Sequence, residues 1–324
     1  MKRRTVWLAT TAAALGAALA MPHAHGQTGK TLRRVGVLLF SGSSASQELI
    51  DALRQHGFVD GRDIVVDARS ADGRTEGLAS LAAELAALKP AVIVAYGPQA
   101  TQAALAASPD VPVVALLNEF VEAGLAATLA RPGGRVTGVS VLNTTLNAKR
   151  LQLLSELLPK GSAVLNLGFP GAVSLTRVDG IAATASTLGL VSHAATASTP
   201  LEIDAAFATA SRLRVAGVNV LGSPFLHNQR MRMIELAAKA RLPAIYEWPV
   251  TAREGGLMAY GSSLSAMSHQ LATYVVRILN GAKAGDLPIE QPTRFELVIN
   301  LKTAQAMGLT IPQALLLRAD EVIQ

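Results

Sequence analysis

Residues 34–40 read RVGVLLF, an apolar run without polar alternation, and Ser41-Gly42-Ser43-Ser44 breaks it. A strand covered on both faces carries such a run, because neither of its sides meets water. Ser44 and Gln47 then stand at capping-box spacing, and Leu49, Ile50 and Leu53 form one apolar stripe before Gly57, which predicts a helix. The couplet returns at once. Residues 63–68 predict a second strand, Leu78, Leu81, Leu85 and Leu88 line a helix that Pro90 stops, and residues 91–95 predict a third strand. Tyr96-Gly97-Pro98 turns into a helix over 99–107, and residues 111–117 predict a fourth buried strand ending at Asn118.

The alternation restarts after a turn-rich stretch at 130–138, where Gly133, Gly134 and Gly138 read as turn residues that need positive φ. A helix over 148–158 precedes strands near 163–169, 190–194, 217–221 and 243–246, with helices between them. Strands alternating with helices predict a parallel sheet covered on both faces; two such series predict an α/β chain of two doubly wound parallel-sheet lobes. Gly255-Gly256 leads into a strand at 257–260 and a helix with Leu271, Tyr274, Val275 and Ile278 on one face, both assigned to the first lobe. The strand at 295–300 and the helix from Thr303 are assigned to the second. The expected division is a leader at 1–26, lobe one at 31–142 plus 257–284, and lobe two at 143–256 plus 285–324, with three crossings between lobes.

Composition changes the reading first at the N-terminus. Lys2, Arg3 and Arg4 precede an apolar run over 6–20 that is short for a bilayer span, so residues 1–26 are expected to be a cleaved export signal. Ala24 and Gly26 suit cleavage before Gln27, and Ala18 and Ala20 offer a second site. The Arg3-Arg4 pair fits a twin-arginine signal as well as an ordinary secretory one. The sequence holds no cysteine, which removes disulfides, thiolate metal sites and a lipid-bearing cysteine. The expected location is the periplasm, without a lipid anchor. Three of the six net positive charges sit at Lys2, Arg3 and Arg4, and the remaining charge is interspersed with few aromatics, which argues against nucleic acid as a partner. With half its residues apolar and about 300 left after the leader, the chain can fill two domain cores, and it is expected to be a monomer.

Three stretches carry a resemblance: Gly57-Phe58-Val59-Asp60-Gly61-Arg62-Asp63-Ile64; Leu129-Ala130-Arg131-Pro132-Gly133-Gly134 with Val136-Thr137-Gly138; and Phe295-Glu296-Leu297-Val298-Ile299-Asn300-Leu301-Lys302-Thr303-Ala304 leading to Ala319-Asp320-Glu321-Val322. In these, nearly the whole chain after the leader resembles the ABC transporter substrate-binding family, in its tryptophan-binding-protein-like branch of the type I periplasmic binding protein fold. The resemblance implies two lobes joined by a three-segment hinge, a small-molecule ligand enclosed between them, and a membrane permease of an ABC importer as partner. Where relatives commonly carry Asp-Pro after the fourth strand, this chain has Asn118-Glu119-Phe120-Val121-Glu122, so ligand identity does not carry over.

In open parallel sheets, ligands sit beyond the C-terminal strand edges, where helix N-termini point free N–H groups into the crevice. The candidates are therefore the junction residues. They are Ser41, Ser43, Ser44, Gly97, Gln99, Asn118 and Glu119 from lobe one, Phe169, Ser223 and Glu247 from lobe two, and Asn143 and Thr144 near the hinge. Hydroxyls and helix N-termini would take a carboxylate, and Glu119 or Glu247 an ammonium, so a small polar, amino-acid-like ligand fits. Phe169, Tyr246, Trp248 and Tyr260 would wall it, although core or interlobe packing explains each of them too. Helix capping explains Ser41, Ser43 and Ser44 equally well, and solvation explains the two glutamates.

Residues 24–31 match a loose phosphate-loop pattern, but they precede the first strand instead of following one. There is no G-x-S-x-G elbow, and the six histidines lack metal-ligand spacing, so no catalytic residue, metal or cofactor is expected and the chain is not read as an enzyme. Two other readings keep the two-lobed clamp: a periplasmic sensor that hands its closed state to a membrane receptor, and an exported α/β enzyme working in the cleft.

Overall fold

The structure, a computed structural model, describes residues 32–42, 44–170 and 175–324. The expected leader and Ser43 lie outside the described residues, as do the side chains of Asn143, Thr144 and residues 175–179.

Lobe one begins with β1 (Arg33–Leu39), α1 (Ser44–Gln55), β2 (Ile64–Ser70), α2 (Leu78–Ala87), β3 (Val92–Tyr96), α3 (Pro98–Ala107), β4 (Val113–Leu117) and β5 (Val136–Ser140). Its five-stranded sheet has the order β2-β1-β3-β4-β5, and its paired strands run parallel. The apolar runs explain why it is covered twice. Val35, Val37 and Leu39 share a core with Leu49 and Leu53 of α1, whereas Leu38 shares one with Ala82 and Leu85 of α2. Gln47 does not close a capping box with Ser44: α1 starts at Ser44 itself, and Gln47 Nε2 donates to Asp51 Oδ1 at 3.2 Å. Gly133 and Gly138 take positive φ, at 76° and 143°, while Gly134 does not.

Lobe two runs through α4 (Asn143–Ser155), β6 (Ala163–Gly168), α5 (Leu175–Thr187), β7 (Val191–Thr196), α6 (Pro200–Arg212), β8 (Gly217–Val220), α7 (Pro224–Asn228), α8 (Arg230–Ala240), β9 (Ala244–Tyr246), α9 (Pro249–Arg253) and β10 (Met258–Gly261). The chain then makes α10 (Leu264–Leu279), β11 (Glu296–Asn300), α11 (Leu301–Met307), α12 (Gln313–Leu316) and β12 (Glu321–Ile323). The second sheet has seven strands in the order β12-β11-β10-β9-β8-β6-β7, with β11 antiparallel to β10.

Two assignments from the sequence are corrected. The strand at 257–260 was expected in lobe one, but β10 pairs with β9 and β11 in the second sheet. Only the helix after it returns: α10 packs its Met267, Leu271, Tyr274 and Val275 into the lobe-one core. The chain therefore crosses at Ser262–Ser263, where Ser263 Oγ caps α10 by accepting from the Ala266 N–H. The final crossing is also later than residue 285. Thr137 Oγ1 donates to the Leu287 carbonyl at 2.8 Å, and the Ser140 N–H donates to the Glu290 carbonyl at 2.8 Å, so residues 287–290 still cover the open edge of β5. The unsatisfied backbone of an edge strand accounts for this delay. Crossing falls at 291–295, and with Val141–Leu142 it completes a hinge of three segments.

The lobes touch beside the hinge. Phe40 of lobe one meets Phe169 edge-on at 5.5 Å, and Phe169 meets Phe225 at 5.5 Å. Among the described residues, no helix is long and apolar enough to cross a membrane.

Candidate ligand site

Both sheets reverse their strand order at an inner strand, between β1 and β3 in lobe one and between β6 and β8 in lobe two. The carboxyl ends of strands beside such switch points form a crevice. A cavity of about 100 Å³ lies there between the lobes. From lobe one it is lined by Ser41 and Gly42 after β1, Tyr96 and Gly97 at the end of β3, Asn118 after β4, and Ser44 and Pro98 in the first turns of α1 and α3. From lobe two come Ser223 and Pro224 after β8, His227 and Asn228 on α7, and Glu247 and Trp248 after β9.

Gly97 shows why this loop has its sequence. Its φ of 92° suits a residue without Cβ, and a Cβ there would stand 3.3 Å from Pro224 Cγ of the opposite lobe. Pro98 then starts α3, needing no N–H where the helix would leave one unused.

Three buried polar atoms on this lining have no hydrogen-bond partner among the described residues: Ser41 Oγ, Asn118 Oδ1 and His227 Nδ1. Folded proteins pair such atoms almost without exception, so three on the lining of one cavity mark a place for a polar guest. Ser223 differs, since its Oγ already accepts from the Leu226 N–H at 3.1 Å and caps α7. Tyr96 donates from Oη to the Ala45 carbonyl at 3.2 Å, and burial pushes its phenol above the usual range.

Charge enters from lobe two. Glu247 is buried, with 6% exposure, and it acts on Arg150, which is wholly buried on α4. Arg150 Nε donates to the Tyr260 carbonyl at 2.7 Å and Nη1 donates to Asn147 Oδ1 at 2.7 Å. Burial pushes the Arg150 guanidinium down to about 10, while Glu247 acts in the opposite direction. The His227 imidazole is held down to about 4, chiefly by burial and then by Arg230, with Glu254 opposing. It is therefore neutral near pH 7, with one N–H and one acceptor nitrogen.

The junction candidates thus separate. Ser41, Ser44, Gly97, Asn118, Ser223 and Glu247 converge on the cavity. Gln99, Glu119 and Phe169 are not on its lining; Phe169 is taken up by the ring contacts between lobes. Ser43 and the side chains of Asn143 and Thr144 lie outside the described residues. Of the four aromatic candidates, Trp248 lines the cavity, Tyr246 is buried behind it, and Tyr260 packs on Phe295 at 6.2 Å between ring centres. Tyr96, His227, Asn228 and Arg150 were not anticipated. Tyr96 ends an apolar run that reads as core, and His227 and Arg150 sit on helices with no local charge pattern to single them out. Among the described residues, no group of three His, Asp or Glu is placed to hold a metal ion.

Comparison with known proteins agrees with this geometry. The family model for ABC transporter substrate binding proteins matches residues 41–323. A tyrosine-binding protein of Clostridioides difficile (strain R20291) is 25% identical over 270 residues, covering 82% of this chain and 76% of that protein. A crystal structure of a conserved domain protein from Vibrio cholerae superposes with a TM-score of 0.82 at 25% identity, covering 90% of this chain and 99% of that one. An ABC domain in complex with L-Trp from Streptococcus pneumonia gives a TM-score of 0.80 at 24% identity, covering 90% and 100%. The two-lobed architecture is that of type I periplasmic binding proteins. The chain belongs to the ABC transporter substrate-binding protein family.

Proposed function

We propose that the protein is the extracytoplasmic capture component of an ABC importer, which closes its lobes on an amino-acid-like molecule and presents it to a membrane permease. The observation that carries this reading is the set of unpartnered buried atoms, Ser41 Oγ, Asn118 Oδ1 and His227 Nδ1, on residues that line a cavity with Tyr96 and Trp248. The first turns of α1 and α3 favour a carboxylate, and Glu247 on the same lining favours an ammonium. A zwitterion with an apolar body satisfies both preferences. Names among the relatives point the same way, since one binds tyrosine and another was crystallised with L-Trp. The basic start and apolar run at residues 2–20 support export.

Trp248 is one of two tryptophans in the chain, the other being Trp7 in the expected leader, so its fluorescence reports on the cavity directly. Titration of the processed protein with L-tyrosine, L-tryptophan and L-phenylalanine should give saturable fluorescence changes. A ligand at 100 times its dissociation constant should also stabilise the fold by about 2.7 kcal/mol in thermal melts. Silence from every amino acid, with a response to D-allose or D-arabinose, would sink the amino-acid reading.

A further inference from the structure

Behind the ligand cavity, within lobe two, lies a smaller hollow of about 10 Å³, and His227, Glu247 and Trp248 line both spaces. His227 and Trp248 meet edge to face with ring centres 6.0 Å apart, so the two rings stand between cavity and hollow. Tyr246 and Arg230 complete the rear side. Two polar atoms are buried without a hydrogen-bond partner among the described residues, His227 Nδ1 at this boundary and Tyr246 Oη on the rear side of the hollow.

Neither atom makes a hydrogen bond that supports the fold among the described residues. Tyr246 is only 2% exposed on β9, and a phenylalanine ring would fill the same space without stranding a hydroxyl. His227 follows Phe225 and Leu226 on α7, and its Nδ1 caps and bridges nothing. Arg230 next to it is committed to Glu254 through two hydrogen bonds, so it is not the missing partner. The neutral imidazole described above has an unused place for a polar contact, at the lobe-two end of a cavity whose lobe-one end is fitted for a carboxylate.

We propose that His227, backed by Tyr246, is the specificity-determining residue for the far end of the ligand, and selects an amino-acid-like molecule whose side chain ends in O–H or N–H over one ending in carbon. The inference rests on the amino-acid reading and adds the ligand's side-chain chemistry to it. The physical reason for selection is asymmetry. A site that hydrogen-bonds a ligand hydroxyl leaves its own buried group unpaired when the hydroxyl is missing, so the penalty falls on the wrong ligand.

The test compares dissociation constants for L-tyrosine and L-phenylalanine in the wild-type protein and in His227→Leu, His227→Gln and Tyr246→Phe. The wild type should favour L-tyrosine by at least tenfold. His227→Leu should bring the ratio close to one with L-phenylalanine binding retained; His227→Gln, which keeps a donor and an acceptor, should restore part of it. Tyr246→Phe should narrow the ratio and leave the ligand-free melting temperature equal to or above that of the wild type, which separates recognition from misfolding. Equal wild-type affinities, or a ratio unmoved in both His227→Leu and Tyr246→Phe, would overturn this inference alone. Absence of binding by either amino acid would remove the amino-acid reading and this inference together.

Discussion

Lobe one reaches the cavity with the ends of three neighbouring parallel strands, two helix starts, and the small side chains Ser41, Ser44 and Asn118. Lobe two reaches it with rings and charge: His227, Trp248 and Glu247, with buried Arg150 close to Glu247. Backbone dipoles and hydroxyls recognise a group that many ligands share, such as a carboxylate. Rings and buried ionisable groups discriminate, because each fits few partners and is costly when mismatched. On the proposed reading, the same doubly wound grammar does two jobs, with general capture in one half and selection in the other.

The comparison breaks first if lobe one loses its frame. Gly138 on β5 has φ at 143°, and a Cβ there would lie 1.9 Å from the Ala115 carbonyl oxygen of β4. Backbone cannot yield as a side-chain tip does, and the Gly138 carbonyl also accepts from the N–H of Glu290, just before the third hinge segment, at 3.1 Å. Gly138→Ala should cost more than about 4 kcal/mol, seen as loss of the folded protein or of its cooperative urea transition. A well-folded variant would show that the edge of lobe one is looser than its pairing implies.

Arg150 makes the corresponding test of lobe two. Arg150→Met keeps the bulk but strands the Tyr260 carbonyl and Asn147 Oδ1, and takes the neighbouring cation from Glu247. Breaking such a buried charged network costs about 3–5 kcal/mol. Because Arg150 joins α4, just past the first crossing, to β10, just before the second, the loss should appear in urea melts together with weaker ligand binding. Stability equal to the wild type would mean that the charge is dispensable to the hinge.

How far these features could be read from the sequence follows from the same contrast. Strand ends are local, so Ser41, Gly97, Asn118, Ser223 and Glu247 stood out wherever an apolar run stopped. The lobe assignment of β10 did not, because a crossing at Ser262–Ser263 has the composition of any strand-to-helix turn, and only its pairing with β9 and β11 reveals it. Arg150 was invisible for a related reason. An arginine on an Ala- and Leu-containing helix ordinarily faces water, and its burial depends on Tyr260, Asn147 and Glu247 meeting around it. Lobe two is thus the less legible one, since its key groups are assembled by tertiary contacts.

Acid should act on the two lobes in opposite directions. His227 has a folded value of about 4, below its ordinary 6.5, with Arg230 and Glu254 facing it and Glu247 on the same hollow. Its contribution is complete above pH 6.5 and is lost as the pH falls towards 4, because the unfolded chain takes up the proton first. On the order of 2 kcal/mol should be gone by pH 5, and His227→Gln should abolish that part of the slope. Glu48 on α1 of lobe one has its carboxyl raised, chiefly by burial, with Ser268 and Arg230 acting the other way. Its raised value favours the fold at low pH and loses that effect as the pH rises. Urea midpoints at pH 7 and pH 5 for wild type, His227→Gln and Glu48→Gln resolve the two signs, and parallel slopes in all three would refute the assignment.

The smallest effect separates two serines that occupy matching places, Ser41 after β1 and Ser223 after β8. Ser223 Oγ caps α7, so Ser223→Ala should cost about 1 kcal/mol whether or not ligand is present. Ser41 Oγ is buried and unpartnered among the described residues, so Ser41→Ala should leave the ligand-free protein unchanged or more stable by up to about 1 kcal/mol. The same change should weaken an amino acid that saturates the wild type by roughly tenfold, since its carboxylate loses a donor hydroxyl. Melting curves with and without ligand distinguish the cases: a hydroxyl serving the fold lowers both curves, and one reserved for a guest lowers only the liganded curve. If Ser41→Ala lowers both, lobe one's oxygens are structural, and the division of labour between the lobes fails at its weakest-bound residue.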